Sequence, residues 1–168
     1  MTANGSPITG GESSLMLQEK IKISKSFKSF LKKKEYRVSF NENFEDVIES
    51  CSNIKRVNQK GTWITNGLKQ SFIELHLMGY AHSVEVWQNG VIVGGLYGLD
   101  LGNIFCGESM FSIKPNASKV ALYFLCQELK QNNYDFIDCQ LPSQHLSSLG
   151  AEEISRDNFL KKLFNQNF

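Results

Sequence analysis

The sequence predicts a single domain of the α+β class, in which helices cover a mixed, mainly antiparallel sheet, and three observations lead to this prediction. The 168 residues are enough to enclose one hydrophobic core. Apolar residues recur at helical spacing before Gly79 and alternate as in strands after it. The dipeptide Asn89-Gly90, between two apolar runs, is a strong signal for a two-residue β-hairpin. Helices that precede a group of hairpin-linked strands are typical of an α+β domain.

The helices predicted in the first half of the chain have recognisable starts and ends. Ser24 stands at the N-cap of a helix over "KSFKSFLKKK", in which the apolar residues share one face. A short strand, "YRVSF", comes next, and a second helix follows over "NFEDVIESCS". A third helix is predicted from Asn66 to Met78, because the following Gly79 is typical of a helix C-terminus.

Four strands and three helices are predicted after Gly79. In chain order they are the strands "HSVEVW", "VIVGGLYGLD" and "NIFCGESMFS", the long helix "NASKVALYFLCQELKQNN", the strand "YDFIDCQ", and two short helices in "SQHLSSLG" and "SRDNFLKKLF". The first three strands follow one another through tight turns, so we expect them to be antiparallel. The fourth strand follows a long helix, which allows it to lie parallel to its neighbour.

The first 18 residues differ in composition from the rest of the chain. They are rich in Gly, Ser and Thr and carry one charged residue, Glu12. We therefore expect residues 1–18 to be a flexible leader or an expression remnant, and residues 19–168 to form the domain. The chain has no run of about 18 apolar residues and no signal-peptide core, which favours a cytoplasmic protein without membrane contact. We expect a monomer.

A net charge of only +1 conceals a cluster of positive charge. Eight of the 18 Lys and Arg residues lie between Glu19 and Arg37, beside only two acids. Such a cluster suits a polyanion, because phosphates neutralised by Lys and Arg release counterions. A solvated helix surface explains the same charges equally well. The lysines on or just after the first predicted helix are Lys25, Lys28, Lys32, Lys33 and Lys34.

The spacing of cysteine and histidine residues indicates neither a metal site nor a disulfide framework. The four cysteines stand far apart without a C-x-x-C pair, and the three histidines lack the spacing of metal ligands. Most of the cysteines have apolar neighbours, so we expect reduced thiols within the core.

Polar residues interrupt two of the predicted strands. Glu108 lies within "FCGESMF", and Asp138 and Gln140 end the apolar strand in "FIDCQ". Residues i and i+2 of a strand point to the same face, so we expect Asp138 and Gln140 to face one space. Carboxylate and amide groups together can hold and orient an amine. The alternative is that Asp138 and Gln140 cap the helix that begins near Pro142, or tie down a turn.

A series of short motifs resembles one known family in both content and order. The motifs are "GTWIT", "GYAHSVEVW", "GGLYG", "FCGESMFS", "NASK", and "IDCQ" followed by "HLSSLGA". Together they resemble the leucyl/phenylalanyl-tRNA–protein transferases of the bacterial N-end rule pathway. The resemblance runs from about Ile23 to Phe164, and "ISKSFKSFLKK" is similar to the basic entry helix of that family.

This resemblance implies a function and a fold. The family transfers Leu or Phe from aminoacyl-tRNA to the N-terminal α-amine of proteins that begin with Arg or Lys, which marks those proteins for degradation. Its fold is an acetyltransferase-like (GNAT-like) α+β core. The implied partners are aminoacyl-tRNA and the acceptor protein, and neither a metal nor a nucleotide cofactor is expected.

The resemblance also implies roles for individual residues. Asp138 and Gln140 match the catalytic pair in the family's "DCQ", and Glu108 matches the acid of "GESMFS" near the aminoacyl ester. Trp63 matches the tryptophan beside the terminal adenosine, and the lysine cluster would bind acceptor-stem phosphates. A purely apolar pocket separates homologous side chains by only ~1–3 kcal/mol per methylene, so weak use of Met is predicted. The implied pocket residues are Leu96, Met110, Leu122, Leu125, Ile137 and Phe72.

Two other functions are compatible with the sequence. An acyl-CoA N-acetyltransferase of the same fold class needs a turn that holds pyrophosphate before the long helix, and "SIKPNASKV" lacks the glycines of such a turn. A non-catalytic module that binds aminoacyl-tRNA or a protein N-terminus is favoured because the residues before Ile23 do not match the family's usual N-terminal domain. The presence of Asp138, Gln140 and Glu108 favours catalysis.

Overall fold

A computed structural model describes residues 13–17, 20–54, 64–140 and 143–164. The strands in this part of the chain form one sheet in which only β5 and β6 are parallel, so the predicted mixed, mainly antiparallel α+β arrangement is confirmed. The strands are β1 (Ser13–Met16), β2 (Arg37–Phe40), β3 (Ala81–Gln88), β4 (Val91–Asp100), β5 (Ile104–Ser112), β6 (Phe136–Gln140) and β7 (Glu152–Ile154). Their order across the sheet is β2-β3-β4-β5-β6-β1-β7.

Most of the described helices begin at a side-chain cap, although the helix that starts at Ala117 follows Asn116, which makes no such hydrogen bond. Ser24 Oγ accepts a hydrogen bond from the backbone N–H of Phe27 at 3.1 Å, which confirms the predicted N-cap of α1. The β3–β4 hairpin turns at Asn89 and Gly90, both with positive φ, as its two-residue turn requires. The helices are α1 (Lys25–Lys32), α2 (Phe44–Asn53), α3 (Asn66–Leu77), α4 (Ala117–Gln131), α5 (Gln144–Leu149) and α6 (Arg156–Phe164).

Apolar side chains cover both faces of the sheet. One cluster joins α1 and α4 to the sheet and includes Leu96; we call it the α4-side core. A second cluster surrounds Tyr97 beneath α2 and α3; we call it the α2-side core. Because Leu96 and Tyr97 are neighbours in one strand, the two cores lie on opposite faces. A smaller cluster of Leu15, Ile104 and Phe136 packs against α6.

Strands β1 and β7 lie where the sequence predicts none, and β1 is the more informative of the two. Ser13–Met16, expected as part of a flexible leader, forms β1 between β6 and β7, so that expectation is wrong for these residues. Leu15 and Met16 are 1% and 0% exposed. A four-residue strand has no local pattern to identify it, because its stability comes from pairing with residues more than 120 positions away. Residues 1–12 and 18 of the predicted leader lie outside the described residues.

Candidate functional site

The polar residues singled out in the sequence lie where β5 and β6 part. The parallel pairing of these strands ends at Cys106 and Asp138. Beyond that pair, β5 continues to Ser112, whereas β6 ends at Gln140 and is paired there with β1. Glu108 and Gln140 therefore lie just past the last residues that join the two strands, at the open end between them.

Each of these strands carries a β-bulge at this point. In β5, Glu108 is the extra residue, because its two neighbours pair with consecutive residues of β4. In β6, Cys139 is the extra residue between Asp138 and Gln140, which pair with consecutive residues of β1. Bulges change the direction of side chains and are frequent next to active sites. Strand alternation alone therefore does not describe how these side chains meet.

Gln140 joins the two carboxylates by hydrogen bonds. Its side-chain Nε2 donates to Glu108 Oε1 at 3.1 Å, and its backbone N–H donates to Asp138 Oδ1 at 2.8 Å. Gln140 has a φ of +59°, a left-handed conformation that ends the strand. The structure thus brings together the three residues for which the sequence predicts a catalytic role.

The capping alternative for Asp138 and Gln140 is only partly realised. The N-cap of α5 is Ser143, whose Oγ accepts from the backbone N–H of Leu146 at 3.2 Å. Asp138 does tie down the turn at Gln140, through the backbone hydrogen bond described above. The side chain of Gln140 serves neither purpose, because it reaches across to Glu108 on the neighbouring strand.

Burial makes both carboxylates harder to ionise. It raises the pKa of Glu108; the hydrogen bond from Gln140 lowers that pKa, and the charge of Asp138 raises it further. Burial also raises the pKa of Asp138, against the opposing effect of the Gln140 backbone N–H. The pKa of Cys106 rises to about 11, through burial and the charges of Asp138 and Glu108. Two crowded, half-buried carboxylates form a site that favours a cation or an amine.

Five of the predicted pocket residues are brought together on the α4 side of the sheet. Leu96, Leu122, Leu125 and Ile137 are buried members of the α4-side core, each 2–4% exposed, and Met110 packs against them from a less buried position. Their side chains are closely packed with one another. Ile137 immediately precedes Asp138 in β6, so this apolar cluster lies beside the backbone that carries the polar set, although consecutive strand residues direct their side chains to opposite faces.

The two aromatic residues of the predicted site have different outcomes. Phe72 is not brought to the other five apolar residues: it lies in the α2-side core, with its ring centroid 5.1 Å from that of Tyr97. An apolar position on a helix shows that one face is buried, but not against which side of a sheet. Trp63 lies outside the described residues.

The basic cluster lies on the exposed side of α1. All five of its lysines are exposed, whereas Phe27 on the opposite side is buried against Tyr123, with ring centroids 6.2 Å apart. Within the described parts of the chain, only Lys33 of these five makes an ion pair, with Glu35 at 3.8 Å. The remaining charges are available to an external anion.

A groove with a volume of ≈ 480 Å³ lies between α1, β2 and α4. Its walls include Phe30, Tyr36, Phe40, Tyr123 and Phe124. Of the predicted site residues it contains only Lys34, so it is distinct from the open end between β5 and β6.

The described residues contain neither a group of metal ligands nor a membrane-spanning helix. There, no three His, Cys, Asp or Glu side chains are grouped closely enough to hold a metal ion. No helix in these same ranges is long and apolar enough to cross a membrane. None of the four cysteines forms a disulfide with another described residue, and Cys51 and Cys126 are buried.

The residues that support the site from β1 were not predicted from the sequence. Ser14 and Leu15 lie opposite Gln140 and Asp138, and they hold the end of β6 in place. The only signal in the sequence is the run of three apolar residues after two serines, which is too short to distinguish a strand from a loop.

Solved structures share the fold. A conserved protein of unknown function from Bacteroides thetaiotaomicron superposes with a TM-score of 0.58 at 14% identity, over 82% of this chain and 53% of that one. A GCN5-related N-acetyltransferase from Kribbella flavida superposes with a TM-score of 0.51 at 7% identity, over 88% of this chain and 56% of that one. At these identities the likeness concerns the fold alone, and it confirms the predicted GNAT-like class.

Sequence comparison identifies the family. Proteins named leucyl/phenylalanyl-tRNA–protein transferase are 52% identical in Flavobacterium johnsoniae over 145 residues, 49% in Lawsonia intracellularis over 149 and 49% in Vibrio campbellii over 142. The matches cover 86%, 89% and 84% of this chain, and 68%, 65% and 59% of those proteins. The family model described as leucyl/phenylalanyl-tRNA protein transferase matches residues 15–164. The chain therefore belongs to the leucyl/phenylalanyl-tRNA–protein transferase family.

Proposed function

We propose that this chain transfers Leu or Phe, and Met more weakly, from aminoacyl-tRNA to the N-terminal α-amine of proteins that begin with Arg or Lys, which marks those proteins for degradation. Membership of the family supports this reaction. The observation that carries the proposal is the hydrogen-bonded set of Glu108, Gln140 and Asp138 at the open end between β5 and β6.

The proposed reaction needs no cofactor to balance. The amine nitrogen attacks the carbonyl carbon of the aminoacyl ester, the bond from that carbon to the ribose oxygen breaks, and an amide forms. The amine loses a proton, and the departing ribose hydroxyl gains one. Because the ester is already activated, the protein contributes mainly by holding both reactants in place, an effect worth up to ~7–11 kcal/mol.

The hydrogen bonds within the site support distinct roles for its residues. Gln140 donates through Nε2 to Glu108, so its amide oxygen is directed away from that carboxylate and can accept a proton of the incoming amine. Asp138 holds the backbone of Gln140 and places negative charge near the amine. Its raised pKa also brings Asp138 closer to the range in which a carboxylate accepts a proton.

The α4-side core supports the preference for apolar amino acids. Ile137 lies one residue before the last β5–β6 pair and Met110 lies beyond it in β5, and both belong to the same cluster as Leu96, Leu122 and Leu125. A leucyl or phenylalanyl side chain gains free energy by leaving water for such surroundings. An apolar wall discriminates weakly between similar side chains, which is the reason for including Met.

The exposed lysines of α1 support binding of tRNA through its phosphates. Contacts of this kind fix the position of a nucleic acid without reading its sequence. Since aminoacyl-tRNA is a cytoplasmic substrate, the proposal places the chain in the cytoplasm, where it would act as a monomer.

The proposal is tested by incubating the chain with radiolabelled Phe-tRNA and a peptide that begins with Arg. We expect labelled peptide from the wild type and from Gln70→Ala, an exposed control on α3, and little from Gln140→Ala. Binding of Phe-tRNA without a product would instead identify a binding module. Turnover of acetyl-CoA would identify an acetyltransferase. Either result would contradict the proposed function.

A further inference from the structure

Gly107 stands in β5 immediately before Glu108, at the point where β5 and β6 part. Most described glycines have a clear reason to lack a side chain. Four of them, Gly79, Gly90, Gly102 and Gly150, have positive φ, which side chains rarely tolerate. Gly107 is not among these, so its backbone conformation does not require glycine.

Packing does not require glycine at this position either. In the neighbouring strand, a Cβ atom on Gly94, Gly95 or Gly98 would come within 2.4, 2.7 and 2.2 Å of other atoms, so each is needed for close approach. Among the described residues, a Cβ on Gly107 would have only two neighbours within 4 Å, the backbone O of Asp138 at 3.6 Å and Cγ2 of Ile137 at 3.8 Å. Both are ordinary van der Waals distances. The fold can therefore accept alanine at position 107.

The two atoms nearest to this bare position connect the two halves of the candidate site. Asp138 belongs to the polar set, and Ile137 belongs to the α4-side core. A substrate with its ester beside Gln140 and its side chain against Ile137 would pass over the backbone of Gly107. Glycine inside a strand often marks a place where a ligand approaches the backbone closely.

We propose that Gly107 is a specificity-determining residue: its missing side chain keeps open the passage by which the amino-acid side chain of the substrate reaches the apolar wall. This inference rests on the proposed function, and it goes further by assigning a role to a residue outside the catalytic set and the pocket wall. Because the ring of Phe is wider than the side chain of Leu, a methyl group at position 107 obstructs Phe more than Leu.

The experiment compares Gly107→Ala with the wild type and with Gly67→Ala, a control that adds a methyl group on α3 where a Cβ would meet no atom of the described residues within 4 Å. We expect Gly107→Ala to keep the wild-type Tm. Its kcat/KM should fall by about 10- to 200-fold for Phe-tRNA and by a smaller factor for Leu-tRNA. The Gly67→Ala variant should match the wild-type kcat/KM for both substrates, and its Tm should be equal or higher because Ala favours a helix more than Gly does. A lowered Tm for Gly107→Ala would show that the fold itself needs this glycine. Unchanged kcat/KM values for both substrates would show that a methyl group at position 107 does not obstruct the passage. Either result overturns the inference.

A binding measurement separates this inference from the proposed function. The Kd values of Phe-tRNA and of uncharged tRNA are measured for the wild type and for Gly107→Ala. If the wild type prefers Phe-tRNA but forms no peptide product, the proposed function fails, and loss of that preference in Gly107→Ala still supports the inference. If Gly107→Ala keeps the wild-type preference for Phe-tRNA over uncharged tRNA, the inference is overturned and the proposed function is not. A wild type that neither prefers Phe-tRNA nor transfers Phe overturns both.

Discussion

At Asp138, the role proposed for the carboxylate and the stability of the fold oppose each other. Burial raises the pKa of its carboxyl, and the backbone N–H of Gln140 offsets this only in part. Ionisation of this carboxyl therefore costs more free energy in the folded chain than in the unfolded chain. The stability associated with the protonated group is fully present below the unfolded pKa of about 3.9 and is lost as the pH rises through the higher, folded pKa.

Replacing Asp138 with Asn removes this loss of stability. Asn keeps an Oδ1 that can accept from the Gln140 backbone N–H, but it carries no charge. We expect Asp138→Asn to have a higher urea midpoint than the wild type at pH 7, and the difference to shrink as the pH falls toward about 4. Glu74→Gln, at an exposed position on α3, is the control. A gain that is the same at both pH values would show that charge at Asp138 is not its cause.

The identities of the polar site residues could be predicted from the sequence, but their geometry could not. Glu108, Asp138 and Gln140 are recognisable because polar groups interrupt apolar strands, where burial is costly. Strand alternation predicts that Asp138 and Gln140 share a face. It does not predict the bulges at Glu108 and Cys139, which depend on register against β4 and β1. Register is a long-range property, so no local pattern reveals it.

At the scale of single elements, α1 separates an apolar face from a charged one, and this could be predicted from the sequence. Periodicity places Phe27 on the buried side and the lysines outside, as observed. Binding of tRNA phosphates by the charged side stays a prediction. If these lysines neutralise phosphates, counterions are released and the binding weakens as the salt concentration rises.

Neutralising two of these lysines tests the contact with tRNA. For Lys28→Ala/Lys32→Ala we expect weaker binding of tRNA, and a plot of log K against log salt whose slope is flatter by roughly 1.4–1.8, because each phosphate contact contributes about 0.7–0.9. The matched control is Lys161→Ala/Lys162→Ala, a pair of exposed lysines on α6, which should leave the slope unchanged. Equal slopes for all three proteins would contradict phosphate binding by α1.

Strand β1 shows why the boundary of the domain could not be located from composition. Its residues resemble the preceding Gly- and Ser-rich segment, yet Leu15 is 1% exposed and lies opposite Asp138. Composition averages over many residues, whereas this four-residue strand is held by its pairing with β6 and β7.

Truncating Leu15 therefore should destabilise the fold. We expect Leu15→Ala to lower the free energy of unfolding by about 2–5 kcal/mol, as for other large-to-small changes in cores, measured by urea denaturation. Ile113→Ala, at a side chain that is 65% exposed, should change it by no more than about 0.5 kcal/mol. Similar values for the two variants would indicate that β1 contributes little to the fold.

At the scale of the whole molecule, the fold class followed from the order of helices and strands, and the order of strands within the sheet did not. The β3–β4 hairpin and the helix before β6 have local signals, in Asn89-Gly90 and in the periodicity of α4. The insertion of β1 between β6 and β7 has none, because it joins distant parts of the chain. Under the proposed function that insertion supports the site, since β1 pairs with the strand that carries Asp138 and Gln140.

In the proposed function, transfer takes place at the open end between β5 and β6. The most direct test is the single-turnover rate of Phe transfer from saturating Phe-tRNA to a peptide that begins with Arg, measured for the wild type and for Asp138→Asn. We predict that the rate falls by about 10²–10⁴-fold in the variant while its Kd for Phe-tRNA is unchanged. A folded Asp138→Asn protein that transfers Phe at the wild-type rate would contradict the claim.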